Sequence, residues 1–363
     1  MNIEELLKTP VFEFDRFKKR DVITGLLNDL TRNHVNACQP YGHILKAMQY
    51  QYEIDHQIED IPFLPVRLFK DYEIKSISDD EVIKTLTSSG TTSQKVSKIF
   101  LDKQTSAYQT KALVAIIQQY LGKKRLPMLI VDHENVISDR RLFSARGAGI
   151  LGLANFGRDH TYLLDENMDI DFNKLDAFIE KYRGEKIFIF GFTFMIWQYL
   201  YKQLDRLGKK INLDEAVLVH SGGWKKLQDQ SVDNETFKRL LKSQAGIKHI
   251  YNFYGMVEQV GSIFMECEAG YLHAPVFSDV IIRNPVDWAV LPAGESGVIE
   301  VISVLPHSYP GHVLLTEDIG VLHGEDDCSC GRKGKYFTVS GRVPRAEVRG
   351  CSDTHAQDAA EAV

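Results

Sequence analysis

A run of small hydroxyl and glycine residues, TSSGTTS, occupies residues 87–93, and Lys95 follows two positions later. Backbone amides and hydroxyl groups in such a run can converge on an anion, and a lysine adds a positive charge. The spacing differs from the Walker pattern G-x-x-x-x-G-K-[ST], so it predicts a phosphate-binding loop of another kind. The alternative for the same residues is a solvent-exposed loop rich in serine and threonine.

Four side chains that commonly bind metal ions lie in the last third of the chain. Cys267 and His273 are six residues apart, and Cys328 and Cys330 belong to the turn sequence CSCGR. Three thiolates and one imidazole form a tetrahedral ligand set for Zn²⁺ of the structural type, which leaves no position for water. The residues therefore predict a structural zinc site. The alternative is three reduced surface cysteines beside an unrelated histidine.

The last cysteine, Cys351, follows arginines at positions 342, 345 and 349. Neighbouring positive charge favours the thiolate, which is the nucleophilic form of cysteine. Such a thiolate could accept a group from an activated substrate, and His355 could take up its proton if this segment is helical. Without further information, a spare thiol on a disordered chain end is the simpler interpretation.

The hydrophobic pattern divides the chain into four segments. Residues 1–85 have apolar residues at three- and four-residue spacing, which predicts a mainly helical segment. In residues 86–265 short β-branched or aromatic runs alternate with glycine turns and helical stretches, which predicts an α/β nucleotide-binding core with helices on both faces of a sheet. Residues 266–342 predict a smaller β-rich subdomain with the metal site, and residues 343–363 a tail that carries the last cysteine.

Because ligands of such α/β folds bind at the carboxyl ends of the strands, we expect the functional residues in the turns that follow them. His133, at one predicted strand end, is a candidate hydrogen-bond donor to a substrate carboxylate.

Composition narrows the class of partner. The 43 Lys and Arg residues against 49 Asp and Glu leave a net charge of −6, which excludes a general electrostatic attraction to nucleic acid. The longest apolar run, KIFIFGFTFMIWQYLY, is shorter than the roughly 20 residues that span a bilayer, so it predicts buried core and no membrane span. The five cysteines are odd in number and the amino terminus has no leader-like apolar stretch, so we expect a reduced, cytoplasmic setting.

Five motifs occur in an order that resembles one enzyme superfamily. The loop TSSGTTSQK is similar to the phosphate loop T-S-G-T-T-G-x-P-K of the AMP-forming acyl-activating enzymes. The further motifs are Ser221-Gly222-Gly223, NFYGMVE at residues 252–258, GESGVIE at residues 294–300, and TED at residues 316–318 with Gly341-Arg342. The resemblance implies an adenylation core, which converts a carboxylic acid and ATP into an acyl-adenylate and pyrophosphate.

The resemblance also implies roles for individual residues. The phosphate loop would use Lys95 together with Thr87, Ser88, Ser89, Gly90, Thr91 and Thr92. The adenine site would consist of Ser221, Gly222, Gly223, Tyr254 and Gly255, with the tyrosine ring stacked on adenine. Glu258 would hold Mg²⁺, Asp318 would bind both ribose hydroxyls, and Arg342 would lie at the hinge.

The carboxyl-terminal region resembles that of the LuxE-type acyl-protein synthetases. Enzymes of the superfamily usually continue beyond the Gly-Arg hinge into a lid of about 100 residues, whereas 21 residues follow Arg342 here and include Cys351. The resemblance covers essentially the whole chain. It implies that Cys351 accepts a fatty acyl group as a thioester, for delivery to a fatty-acid reductase.

The four zinc candidates carry a resemblance of their own. The CSCGR turn and the segment with Cys267 and His273 resemble the phenylacetate–CoA ligase branch of the superfamily, which implies a structural metal.

Two other functions fit the same residues. One is an AMP-forming ligase that passes an acyl or aryl group to CoA or to a carrier protein, with Cys351 playing no part. The other is a non-catalytic subunit that keeps the fold and docks on a reductase. Glu258, Asp318 and Arg342 are all present, which favours a catalytic chain over this second alternative.

Overall fold

The computed structural model describes residues 1–88, 95–138 and 145–343. These residues form two compact units, each with its own strands. The first unit contains residues 1–88, 95–117 and 255–343, and the second contains residues 118–138 and 145–254. The division of the chain at residues 85, 265 and 342 stays a prediction.

Helices and strands share the described part of the chain. The helices are α1 (Ile3–Leu6), α2 (Arg16–Ala37), α3 (Gln39–Ala47), α4 (Leu68–Asp71), α5 (Lys103–Leu121), α6 (Asn135–Ser138), α7 (Ala145–Ala154), α8 (Phe172–Lys181), α9 (Thr193–Met195), α10 (Lys202–Arg206) and α11 (Asn234–Ala245). The strands are β1 (Leu64–Pro65), β2 (Lys84–Thr87), β3 (Lys98–Leu101), β4 (Leu126–Ile130), β5 (Gly157–Tyr162), β6 (Ile187–Phe192), β7 (Ala216–Ser221), β8 (His249–Tyr254), β9 (Phe264–Glu266), β10 (Leu272–His273), β11 (Ser278–Arg283), β12 (Ser296–Ser303), β13 (Val313–Glu325) and β14 (Lys335–Arg342). None of the helices in the described ranges has both the length and the apolar character that crossing a membrane requires.

The second unit is built on parallel strands in the order β8-β7-β6-β4-β5. Helices follow the strands along the chain, so the predicted α/β fold is confirmed. Because the strands are parallel, their carboxyl ends share one edge, where α/β proteins bind ligands. Ser221 and Tyr254, the last residues of β7 and β8, therefore lie at that edge.

The central strands of the second unit have apolar sequences because both of their faces are covered. Every residue of β4, β6 and β7 is buried, and strands covered on both faces have continuous apolar runs instead of alternating ones. Phe188 and Phe190 are fully buried, so the prediction that the longest apolar run is core is confirmed. Beyond β6 and α9 the same run forms a π-helical turn, Ile196–Tyr201, which the sequence did not predict.

The end of helix α11 leads into strand β8, which carries the predicted adenine residue Tyr254. Helix α11 begins after Asp233, whose carboxylate accepts a hydrogen bond from the Thr236 N–H, and it ends at Gly246. Gly246 has φ +74, and a Cβ there would lie 2.8 Å from Asn212 Oδ1. Only glycine satisfies both the left-handed conformation and the close approach. The turn directs the chain into β8.

The strands of the first unit are mostly antiparallel, in the order β11-β12-β13-β14-β10-β9, with β1 pairing in parallel with β13. Strands β11, β12, β13 and β14 lie within residues 266–342, where the sequence predicts a β-rich segment. Strands β2 and β3 form a separate antiparallel pair in which Lys84 faces Leu101 and Thr87 faces Lys98. The predicted phosphate loop is therefore the connection of a β-hairpin.

Candidate active site

The two ends of the predicted phosphate loop are hydrogen-bonded to each other. Thr87 ends β2 and pairs with Lys98. Beyond this pair, the Ser88 N–H donates to the Ser97 carbonyl oxygen at 3.1 Å, and the Ser97 N–H donates to Ser88 Oγ at 2.8 Å. The other predicted loop residues, Ser89, Gly90, Thr91 and Thr92, lie outside the described residues. Thr87 and Ser88 are thus placed at the mouth of the loop.

Lys95 lies on the surface of the first unit. Its Nζ is 3.2 Å from Asp71 Oδ1, and the two side chains are 75% and 41% exposed. An ion pair this exposed stabilises by about 0–1 kcal/mol. Lys95 can therefore exchange Asp71 for a more highly charged anion such as a phosphate.

Glu258 is a buried carboxylate next to the loop hairpin. It lies in the 3-10 turn Val257–Gln259 and is 1% exposed. The hydroxyl of Ser97, a residue that is itself 0% exposed, donates to Glu258 Oε1 at 2.6 Å. Carboxylate oxygens are the ligands that Mg²⁺ prefers in proteins. The residues fit the predicted cation, because a hard anionic ligand lies beside the hairpin that carries the predicted phosphate loop.

The main chain around Glu258 is fixed by two further side chains. The Tyr309 hydroxyl donates to the Glu258 carbonyl oxygen at 2.9 Å, and burial raises the pKa of that tyrosine, so it stays a donor. The Gln259 amide donates to Val301 O at 3.0 Å and to Gly311 O at 2.9 Å. These bonds hold the turn that carries the carboxylate.

Asp318 and Arg342 are brought together by the pairing of β13 with β14. They are register partners, and Arg342 Nε lies 3.5 Å from Asp318 Oδ1. The guanidinium also contacts the Glu317 carboxylate at 2.6 Å. The Asp318 N–H donates to Thr316 Oγ1 at 3.1 Å, which orients the turn of the TED motif. The two residues that the motifs predict for ribose and hinge thus form one polar cluster.

The four predicted zinc ligands converge. Ligand atoms of Cys267, His273, Cys328 and Cys330 all lie within 4.8 Å of one another. Cys267 Sγ is 3.9 Å from Cys328 Sγ, and Cys330 Sγ is 3.4 Å from His273 Nε2. A tetrahedral Zn²⁺ with Zn–S of about 2.3 Å and Zn–N of about 2.0 Å requires S···S of about 3.8 Å and S···N of about 3.5 Å. These two distances match this geometry, and the other four pairs of ligand atoms lie within 4.8 Å.

The pKa shifts of His273 and Cys330 favour the forms that bind a metal ion, whereas that of Cys328 opposes it. Burial, together with the nearby Arg332 and Lys19 charges, lowers the pKa of His273 to about 4, so the imidazole is neutral and can act as a ligand. Burial raises the pKa of Cys328 to about 12. Burial also opposes ionisation of Cys330, but hydrogen bonds that include the Arg332 N–H outweigh it and lower the pKa of that thiol. A bound cation would offset the burial of the thiolates.

In the second unit, the Thr193 side chain forms a hydrogen bond to the predicted adenine turn, Ser221-Gly222-Gly223. Ser221 Oγ donates to the Phe253 carbonyl oxygen at 2.9 Å, which ties the end of β7 to β8. The Thr193 hydroxyl donates to the Gly222 carbonyl oxygen at 2.7 Å and lies 2.9 Å from His220 Nδ1. Burial lowers the pKa of His220 to about 3, so its ring is neutral and Nδ1–H can donate to the threonine.

Steric crowding explains why two positions of the adenine motifs are glycine. Gly222 has φ +80, and a Cβ there would lie 3.1 Å from the Phe192 ring. In the first unit, a Cβ on Gly255 would lie 2.9 Å from Ile263 Cγ2. A Cβ on Gly223 would meet nothing within 4 Å, and this glycine has no left-handed φ, so packing does not require its small size. Tyr254 is half-buried at the end of β8.

Three further candidates, His133, Cys351 and His355, stay predictions. The His133 N–H donates to Asp132 Oδ1 at 2.8 Å, and His133 Nδ1 accepts from the Asn135 N–H at 3.2 Å. His133 therefore closes a local turn after β4, and its role toward a substrate carboxylate stays a prediction. Cys351 and His355 lie outside the described residues.

The sequence motifs did not point to Ser97 or Thr193. Ser97 stands after the loop in KVSK, and Thr193 interrupts the apolar run FGFTF. A hydroxyl residue inside an otherwise apolar buried run must find a hydrogen-bond partner, and this was the available signal for Thr193. Ser97 follows a polar loop, so its burial could not be predicted from its neighbours.

The sequence matches a family model described as acyl-protein synthetase, LuxE, over residues 2–359. It is 26% identical over 323 residues to a long-chain-fatty-acid–luciferin-component ligase of Vibrio harveyi, covering 83% of this chain and 78% of that protein. It is 23% identical over 320 residues to the protein of the same description from Aliivibrio fischeri, covering 84% and 80%.

The fold is similar to that of a solved CoA ligase. An open conformation of 2-hydroxyisobutyryl-CoA ligase in complex with 2-HIB-AMP and CoA superposes with a TM-score of 0.68 at 15% identity, covering 93% of this chain and 78% of that chain. The postadenylation state of the same ligase in complex with 2-HIB-AMP gives a TM-score of 0.68 at 13% identity, covering 91% and 69%. At this identity the likeness shows the fold alone.

Proposed function

Because the chain belongs to the LuxE family of acyl-protein synthetases, we propose that it activates a long-chain fatty acid with ATP and then carries the acyl group on Cys351. Both Vibrio harveyi and Aliivibrio fischeri relatives are named as ligases of long-chain fatty acids. The observation that carries the adenylation step is the hydrogen bond from Ser97 to Glu258, because it joins the loop hairpin to a buried carboxylate.

In the first step a fatty-acid carboxylate oxygen attacks the α-phosphorus of ATP. A new O–P bond forms, the bond to the bridging oxygen breaks, and pyrophosphate leaves. The hydroxyls and amides of the loop at residues 87–93 hold the phosphates, and Lys95 offsets their charge. Glu258 would hold Mg²⁺, which supplies positive charge to the phosphate oxygens when it is bound.

The Asp318 carboxylate accepts hydrogen bonds from the two ribose hydroxyl groups. A carboxylate has enough lone pairs to accept both hydroxyl groups while it keeps its contact with Arg342. In the second unit, Ser221 and Gly222 form the turn that contacts adenine, and the Tyr254 ring stacks on the base. These roles rest on the motifs and on where the strands end.

In the second step the Cys351 thiolate attacks the carbonyl carbon of the acyl-adenylate. The C–S bond forms, the C–O bond to phosphate breaks, AMP leaves, and the thiol proton passes to solvent or a nearby base. The thioester would then be delivered to a fatty-acid reductase. We place this chemistry in the cytoplasm, because the four cysteines among the described residues form no disulfide bond and a reducing compartment keeps them reduced.

We also propose that Cys267, His273, Cys328 and Cys330 hold a structural Zn²⁺. Four protein ligands leave no open position, so the ion would not take part in the reaction. It would join β10, which carries His273, to the turn that carries Cys328 and Cys330. Strand β10 pairs with β14, so the zinc ion would stabilise the strand that ends at Arg342.

The test is to incubate the full chain with ATP, Mg²⁺ and radiolabelled palmitate. We expect label on the protein that neutral hydroxylamine removes, and no label on Cys351→Ser. Cys351→Ser should still exchange labelled pyrophosphate into ATP, because adenylation precedes the thioester. Cys38→Ser, which changes a buried thiol elsewhere, is the control and should keep the label.

Each contrary result points to a different function. Label that persists on Cys351→Ser contradicts the thioester. Acyl-CoA release that does not depend on Cys351 would favour a ligase that uses CoA as acceptor. Absence of pyrophosphate exchange with every fatty acid tried would indicate a non-catalytic subunit.

A further inference from the structure

Ser97 is a fully buried polar residue that no sequence motif includes. Its hydroxyl lies 2.6 Å from Glu258 Oε1, a length in the range of charge-assisted O–H···O⁻ hydrogen bonds. Such bonds are about twice as strong as neutral ones. A buried serine whose hydroxyl is aimed at a buried carboxylate indicates a specific task for that hydroxyl.

The main chain of Ser97 is fixed on both sides by one residue. Its N–H donates to Ser88 Oγ at 2.8 Å, and its carbonyl oxygen accepts from the Ser88 N–H at 3.1 Å. Ser88 belongs to the predicted phosphate loop and is the last described residue before position 95. The position of the Ser97 hydroxyl is therefore set by the closed end of the hairpin.

The Glu258 side chain has three rotatable bonds, so the hydrogen bond from Ser97 to its carboxylate restricts the orientations that it can take. The Tyr309 hydroxyl fixes the main chain of Glu258 at its carbonyl oxygen, but this bond does not orient the carboxylate. Ordering a glutamate side chain costs up to about 2 kcal/mol in lost rotamer freedom. The Ser97 hydrogen bond selects one orientation before any ligand arrives.

We propose that Ser97 is a positioning residue that orients the Glu258 carboxylate for the nucleotide-bound cation and couples it to the phosphate loop. The hydrogen bonds from Ser88 to Ser97 and from Ser97 to Glu258 link the two described ends of the hairpin to the carboxylate. This inference rests on the proposed adenylation function and extends it to a residue that the motifs omit. Partners that orient a ligating group typically contribute 10- to 100-fold to metal affinity.

The test uses the full chain, Mn²⁺ as a spectroscopic substitute for Mg²⁺, and α,β-methylene-ATP, whose α–β bridge the reaction cannot break. Electron paramagnetic resonance measures free Mn²⁺, and a titration gives both its dissociation constant and the number of sites. For Ser97→Ala we expect a dissociation constant about 10- to 100-fold higher with the same number of sites. Ser97→Cys, a weaker donor of similar size, should lie between the wild type and the alanine variant.

Ser308→Ala is the matched control. Ser308 is also fully buried in the first unit, and its hydroxyl donates to the Phe100 carbonyl oxygen at 2.8 Å. The Ser308→Ala substitution removes a hydroxyl hydrogen bond of similar length, but this bond goes to a main-chain carbonyl and not to a carboxylate. The melting temperature should fall, while the Mn²⁺ dissociation constant should stay within about twofold of the wild type.

Four outcomes separate the interpretations. A Ser97→Ala dissociation constant within about twofold of the wild type overturns the proposal. Fewer sites with an unchanged dissociation constant indicates a purely structural serine and also overturns it. If the alanine variant does not fold, the volume-conserving cysteine variant decides by the same criterion. A wild type that neither binds Mn²⁺ with nucleotide nor exchanges pyrophosphate contradicts the proposed function itself.

Discussion

Asp318 and Arg342 face each other across β13 and β14, with Arg342 Nε 3.5 Å from Asp318 Oδ1. The arginine also holds Glu317 at 2.6 Å. The strand register thus places a cation beside the carboxylate proposed to bind ribose. A carboxylate kept in place in this way can accept two hydroxyl hydrogen bonds without first changing its rotamer.

We predict that Asp318→Ala weakens AMP binding by about 10- to 100-fold, because hydrogen bonds to a charged group contribute roughly 1.5–3 kcal/mol. Isothermal titration calorimetry with AMP, 2′-deoxy-AMP and 3′-deoxy-AMP measures the effect. The wild type should discriminate against both deoxynucleotides. Asp318→Ala should bind all three with similar affinity, since the acceptor is gone.

The matched control for this prediction is Glu317→Gln. It removes the other carboxylate that contacts Arg342 but keeps Asp318. We expect it to retain discrimination against the deoxynucleotides. Equal discrimination by Asp318→Ala and the wild type would show that the ribose is bound elsewhere.

The next prediction concerns the adenine turn. Gly222→Ala should lower stability by about 1–2 kcal/mol, because a Cβ is unfavourable at φ +80 and would lie 3.1 Å from the Phe192 ring. The shift of the turn should also raise the KM for ATP. Urea denaturation and pyrophosphate exchange measure the two effects.

Gly223→Ala is the neighbouring control. Nothing lies within 4 Å of a Cβ at this position, and the residue is not among those with a left-handed φ. The substitution should leave stability unchanged within about 0.5 kcal/mol. A Gly223 variant as unstable as the Gly222 variant would contradict the steric explanation.

Much of the fold could be predicted from the sequence because strong local patterns govern it. Strands β6 and β7 follow from continuous apolar runs. Strand β10, only Leu272–His273, gives no such pattern and depends on pairing with β9 and β14. Long-range pairing of two-residue strands is decided by tertiary contacts, which propensity does not encode.

The candidate site shows the same difference. The metal candidates could be found from residue type and order, and the fold brings their ligand atoms together. Ser97 could not be found, because its partner Glu258 is 161 residues away in the chain. A hydroxyl is informative only when its burial and its partner are known.

The zinc proposal predicts one Zn²⁺ per chain in protein purified without chelator, measured by inductively coupled plasma mass spectrometry. Cys328→Ser should lose the zinc and lower the melting temperature, because structural zinc contributes its binding energy to folding. Cys38→Ser changes a buried cysteine outside the cluster and should keep the zinc. Full zinc content in Cys328→Ser would show that the ion, if present, is bound by other residues.

The last prediction concerns acid stability and begins from two buried histidines of the first unit. The rings of His34 and His312 lie 5.0 Å apart. His34 Nε2–H donates to the Pro306 carbonyl oxygen at 3.1 Å, and Nδ1 accepts from the Ser76 hydroxyl at 2.7 Å, so the neutral ring is fully satisfied. Burial lowers the pKa of His34 to about 3 and places that of His312 well below its usual value.

Each of these histidines takes up a proton on unfolding between its folded pKa and the unfolded value of about 6.5. The contribution of each histidine to stability is complete above pH 6.5 and is lost as the pH falls, in the case of His34 toward pH 3. The free energy of unfolding should fall by about 1.4 kcal/mol per pH unit for each histidine, between roughly pH 6 and 5. Urea denaturation at pH 7, 6 and 5 measures the slope.

His34→Gln should reduce this slope by about 1.4 kcal/mol per pH unit, the contribution of one proton taken up on unfolding. Glutamine keeps hydrogen-bonding groups but does not titrate. Ser308→Ala is the control, because it changes a fully buried side chain of the first unit that does not titrate. The control should lower overall stability but keep the wild-type slope. An unchanged slope in His34→Gln would mean that the acid sensitivity arises from other groups, because only a group that gains a proton on unfolding contributes to it.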